Sequence, residues 1–288
     1  MKNRYLIPSV VLAFALSASS VAAQQKVKLG DNAALRYWSA FAEMKDVPIT
    51  DEQAKGLDAI LDGKTPYDDA KYKELVEKNK AALDTMARGT AISECDWGLD
   101  YALGPEAPID YVPKATALAR LNVLYVFHLQ AVGDRDASVK AVVAGLRFSR
   151  DIANGGPLLP TLLAKDSLVK HFRVVSILTL GGSITASQRL DLQKALDQLG
   201  VSPLDWKSAI RREMEVFSQL SWPASAPLDR IIRAYVDALA DSSKLPRLQQ
   251  LITSVPQPFQ GIIVNPKRVL DEEQDLNNKI SAARSILR

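Results

Sequence analysis

The chain has 288 residues, 47% hydrophobic and 24% charged, which is the balance of a globular protein long enough for a sizeable core. Its formal charge of +3 offers no concentrated basic face of the kind that binds nucleic acid. The single cysteine, Cys95, excludes an intrachain disulfide.

Met1 to Ala23 has the pattern of a secretory leader. Lys2 and Arg4 open it, Tyr5 to Leu16 form an apolar run, and Val21-Ala22-Ala23 offers small residues for cleavage before Gln24. The run is too short to span a bilayer, so no transmembrane segment is expected once the leader is removed. No cysteine follows it to carry a lipid anchor. The expectation is an exported protein, periplasmic or secreted, with residues 24–288 forming one helical domain. Taking Lys2 and Arg4 from the basic residues leaves 34 against 33 acidic ones, a charge of +1.

The first mature helix, from Asp31, places Leu35, Trp38 and Ala42 on one side and Tyr37, Phe41 and Met44 on another. Thr50 with Gln53 makes a capping box for a short helix bearing Leu57, Ile60 and Leu61. Thr65-Pro66 opens a third, which ends at Arg88-Gly89. Asn79 falls inside its apolar stripe of Tyr72, Leu75, Val76, Leu83 and Met86, and the charges between Lys71 and Lys80 form a solvated face. Gly89 to Pro113 is irregular and acidic, with Trp97, Tyr101 and Tyr111 as anchors. It lacks the carboxylate-and-glycine alternation of an EF-hand. The plainer reading is a loop pinned by its aromatics; the functional one is a binding surface built on Asp96, Trp97, Asp100 and Tyr101.

Pro113 to Leu180 reads as three helices broken at Gly133-Asp134 and Gly155-Gly156-Pro157. The first is apolar nearly all round, through Leu118, Leu121, Val123, Leu124, Val126 and Phe127, so it must be enclosed by its neighbours. The second has one stripe, Val139, Val142, Val143 and Leu146. The third carries Leu159, Leu162, Leu163, Leu168, Phe172 and Val175. Short connections make such helices antiparallel neighbours, and residues 113–200 form the central hairpins. Thr185 with Gln188 caps the next helix, and Ser202-Pro203 opens one with Trp206, Ile210, Phe217 and Leu220 inward and Glu213 between them. Residues 223–264, broken by prolines, are the place for a lid or insertion. Asn265-Pro266 starts a last helix, 266–288, with Val269, Leu276, Ile280, Ala283 and Leu287 inward.

The expected fold is therefore all-α, an antiparallel helix-hairpin bundle or short α-α superhelix. GDRDASVKAVVAGL resembles the second half of a tetratricopeptide hairpin, with small Ser138, larger Val142 and small Gly145, but no copy follows at the repeat period. NAALRYWSAF, ECDWGLDY, LARLNVLYVFHLQAVGD and AIRREMEVF, in that order, resemble a family of uncharacterised secreted helical proteins of acidobacteria and planctomycetes. The resemblance runs from Asn32 to Phe217 and implies no activity or catalytic residues.

No metal or cofactor motif is present: one cysteine and two histidines, His128 and His171, on apolar helices read as packed core groups. Asn79, Arg120, His128 and Glu213 are polar residues on apolar stripes, where a charge is costly unless paired. If they converge, they form either an ion-paired register device or a cleft in which Glu213 acts as a general acid. The leading functional reading is a non-catalytic binding or scaffold module for a protein or peptide partner. The alternatives are a glycan-active hydrolase or lyase using Glu213, and a small-molecule binder in the interhelical space.

Overall fold

A computed structural model describes residues 31–45, 50–218, 228–257, 259–261 and 263–288. The leader, Leu220, Pro223, Pro227 and Pro258 lie outside the described residues. Among those described the fold is all-α: no strand is present, and the one β-bridge joins Asn32 to Glu94.

The α-helices are α1 (Ala33–Glu43), α2 (Asp51–Leu61), α3 (Asp69–Lys78), α4 (Lys80–Gly89), α5 (Tyr111–Ala131), α6 (Arg135–Asp151), α7 (Leu158–Leu180), α8 (Ala186–Gln198), α9 (Trp206–Ser218), α10 (Leu228–Ala240), α11 (Leu245–Thr253) and α12 (Pro266–Leu287). Helix α5 is the centre, as its apolar surface on every side demands. It packs against α1 to α4, α6 and α7, and Leu118, Leu121, Val123, Leu124 and Val126 are completely buried. Helices α7, α8, α10 and α11 cover α12, and α9 bridges α7 and α10. The Thr50–Gln53 and Thr185–Gln188 capping boxes both form, satisfying the first orphan amides of α2 and α8.

Four local expectations need correction. The helix expected from Thr65-Pro66 to Gly89 is two helices: Asp68 caps α3, and the chain breaks at Asn79. The Asn79 side chain explains the break. Its Nδ2 donates to the carbonyls of Leu75 (2.8 Å) and Lys45 (2.9 Å), and its Oδ1 accepts from Lys45 N (2.7 Å). These bonds replace helix hydrogen bonds and tie the break to the chain just past α1. Helix α5 begins at Tyr111, ahead of Pro113, because a proline in the first turn forfeits only an amide that would be orphaned anyway. On α1, Leu35 (39% exposed) and Trp38 (38%) lie outward, and the buried side is Ala34, Tyr37, Ala40 and Phe41. On α7, Leu159 is half exposed; Leu158, Leu168, Phe172, Val174 and Val175 face the core.

Candidate functional site

A helix end leaves carbonyls without intrahelical partners; beyond α6 the turn supplies some, with Asn154 N donating to Asp151 O (3.1 Å) and Gly156 N to Ala153 O (3.0 Å), and side chains from elsewhere add to them. The irregular segment after α4 does this with aromatic donors. Trp97 Nε1 donates to Asp151 O (2.8 Å), Tyr111 Oη to Ile152 O (2.9 Å), and Tyr101 Oη to Gly155 O. Asn154 Nδ2 donates in return to Cys95 O, and Arg147 Nη2 to Ile92 O (3.0 Å). Trp97 stacks on Tyr111, ring centroids 3.9 Å apart. The segment is thereby clamped to the turn between α6 and α7.

Asp151 sits at the clamp with its carboxylate buried. Tyr37 Oη donates to Oδ2 (2.7 Å), and the Arg150 guanidinium reaches Oδ1 (3.1 Å). Burial raises the carboxyl above the usual aspartate range, against the lowering effect of both donors. Burial, with Asp151 beside it, also pushes the Tyr37 hydroxyl well above its ordinary value.

On the outer side of this turn lies a cleft of about 1020 Å³. One wall is the turn from Arg150 to Gly156; the other is the α8–α9 corner with the first three turns of α9, and Glu273 of α12 closes one side. Charges of both signs line it. Most are already engaged. Arg150 is held by Asp151; Arg212 pairs with Glu215 (2.7 Å) and lies over the Tyr101 ring (4.9 Å). Asp205 accepts from Ser208 N (3.0 Å) and Oγ (2.7 Å), capping α9. Three charged groups remain without a hydrogen bond or ion pair among the described residues: Lys207, Arg211 and Glu273. Burial raises the Glu273 carboxyl, with Lys207 lowering it and Asp205 raising it. Trp206 backs the cleft, and its buried Nε1 has no partner among the described residues.

No known protein family, curated protein or solved structure matches the chain. What the cleft does has to be read from its own chemistry.

The polar residues expected on apolar stripes do not come together. Asn79 serves the α3–α4 break, and His128 Nδ1 meets Asp69 Oδ1 (2.8 Å). Arg120 is half-buried on α5. Glu213 Oε2 accepts from Leu158 N (3.0 Å), which places it at the start of α7 and outside the cleft lining. Burial raises its carboxyl and the amide of Leu158 lowers it. In the segment after α4, Asp96 Oδ1 accepts from Gly98 N (2.9 Å) and Asp100 Oδ1 from Ala102 N (3.0 Å), so both shape their own turns. Trp97 and Tyr101 hold the cleft wall.

A different polar cluster fills the core between α5, α6 and α7. His171, completely buried, has Nδ1 2.8 Å from Ser167 O and 3.2 Å from Ser149 Oγ, and Nε2 3.0 Å from the Asn122 amide. Burial depresses its imidazole to about 4. Burial favours the neutral imidazole, and the cluster lies inside the core, so it serves packing. Among the described residues no three His, Cys, Asp or Glu side chains group as a metal site, and no helix is long and apolar enough to cross a membrane.

Sequence reasoning missed the cleft residues. Lys207 and Arg211 look like a solvated helix face. Glu273 did carry a signal: it falls between Val269 and Leu276 on the inner stripe of α12, as Glu213 does on α9.

Proposed function

We propose that the chain is an exported, non-catalytic helical binding module whose cleft holds a peptide segment of a partner. The carrying observation is the lining: cations and anions interleave in one large cavity, and Lys207, Arg211 and Glu273 make no hydrogen bond or ion pair among the described residues. A polyanion would ask for one sign of charge and a neutral glycan for stacked aromatic platforms. A peptide supplies both charges together with backbone donors and acceptors. The leader pattern at Met1–Ala23 supports export, and the short α5–α6 connection with Ser138, Val142 and Gly145 supports a hairpin of tetratricopeptide kind within one domain of residues 24–288.

The test is calorimetric titration of the mature chain with blocked decapeptides carrying equal lysine and glutamate, beside polyglutamate, polylysine and chitohexaose. Saturable binding of the mixed peptides alone, weakened by the double change Lys207→Ala with Arg211→Ala, is the expected result. Binding of chitohexaose with no response to any peptide would overturn the proposal. N-terminal sequencing of the exported protein should begin at Gln24.

A further inference from the structure

We infer that Glu273 is the counter-charge for a cationic group of the ligand, a lysine ammonium or an arginine guanidinium, so that the cleft selects basic residues in the peptide it holds. This rests on the peptide reading of the cleft and adds a specificity to it.

Each of the other cleft carboxylates is occupied. Asp151 is held by Tyr37 and Arg150, Glu215 by Arg212, and Asp205 by Ser208. Glu273 differs: it is half-buried, faces the same cavity, and accepts no hydrogen bond from any described residue. A carboxylate taken partly out of water without a partner is destabilised unless a cation or donor reaches it. Its raised carboxyl reflects that deficit. Its position on α12 makes the placement deliberate in physical terms. Val269, Leu276 and Ile280 are buried on the same stripe and hold the helix in register, which keeps Glu273 on the cleft side of α12. Lys207 acts on it only through space and makes no ion pair with it. A ligand ammonium entering the cleft would therefore meet one carboxylate that no described residue bonds directly, and would form a charge-assisted bond partly shielded from bulk water.

The experiment uses the whole mature protein and two synthetic decapeptides with blocked ends, identical except that one carries lysines and the other acetyl-lysines. The lysine peptide should bind tighter by between about tenfold and a hundredfold, the range of one hydrogen bond to a charged group. Glu273→Gln, checked for an unchanged melting curve, should erase that ratio. Glu273→Ala serves as the second variant should the glutamine form its own bonds. If both peptides bind wild type equally and Glu273→Gln changes neither, the inference fails and the peptide reading stands. If neither peptide binds at any concentration, the peptide reading fails and the inference with it.

Discussion

Glu213 on α9 caps α7: its Oε2 accepts the amide of Leu158, the first residue of α7, at 3.0 Å. The helix cannot cap itself, because its N-cap is Pro157, which has no side-chain acceptor. A carboxylate at a helix start also meets the positive end of the dipole, so a charge on an apolar stripe is compensated by a neighbouring helix.

Removing that cap gives the first prediction. Glu213→Ala should lose about 1–2 kcal/mol, a fall of a few degrees in Tm for a chain of this size. Pro157→Ser on that background should restore part of the loss, since residue 157 already has the extended backbone of a capping position. Thermal unfolding of the two variants checks it; no recovery by the serine would mean that Glu213 acts by filling space alone.

Gly145 is the point where α6 approaches the buried histidine. A Cβ there would overlap His171 Nε2 and Asn122 Oδ1, and both belong to a packed network. Gly145→Ala should therefore destabilise by about 2 kcal/mol or more, despite the gain of about 1 kcal/mol that alanine brings to a helix interior. Combining it with His171→Ala should cost less than the sum of the single changes. Urea midpoints of the four proteins measure this coupling, and strict additivity would contradict it.

His171 sets an acid limb of stability. Its imidazole lies at about 4 in the folded chain, below the ordinary 6.5, because burial disfavours the charged form. Between those values the unfolded chain binds more protons, so stability rises with pH from about 4 and is complete above about 6.5. The full effect is on the order of 3 kcal/mol. His171→Gln should lack this limb, so the stability difference between wild type and variant should widen from pH 4.5 to pH 7 in urea titrations. Asp151 and Glu213, raised by burial, act in the opposite sense, but they are common to both proteins and cancel in the difference.

Much of this was legible in the residue pattern, and the limits have physical causes. Apolar positions on every side of α5 leave no stable place except the centre, and the Thr50–Gln53 and Thr185–Gln188 boxes are local chemistry that any fold would respect. Asn79 shows where local pattern ends. The apolar stripe continues across it, and only Lys45, distant in sequence, turns its side chain into a break. The cleft was hidden for a similar reason: it joins the α6–α7 turn, the α8–α9 corner and α12, and no one segment betrays it. Glu213 and Glu273 carry the same signature, a carboxylate on an apolar stripe, and only the neighbouring helix distinguishes a cap from an unpartnered charge.

The clamp on the cleft wall can be followed through Cys95, the only cysteine in the chain. Its thiol is buried 3.8 Å from the Asp151 carbonyl, and burial, with the charges of Asp151 and Asp96, holds it well above the usual thiol value. Both effects suppress the thiolate, the reactive form. Native protein should thus react with iodoacetamide only as fast as the segment after α4 opens. Trp97→Phe keeps most of the stacking on Tyr111 but removes the indole donor from the Asp151 carbonyl, which retains Asn154 N, at a cost of about 0.5–1.5 kcal/mol. Labelling of Cys95 should then accelerate by about twofold to tenfold. Tyr101→Phe, whose bond to Gly155 is exposed, should give a smaller increase. Equal labelling rates in all three proteins, with global stability unchanged, would mean that the aromatic donors do not hold the segment on the turn.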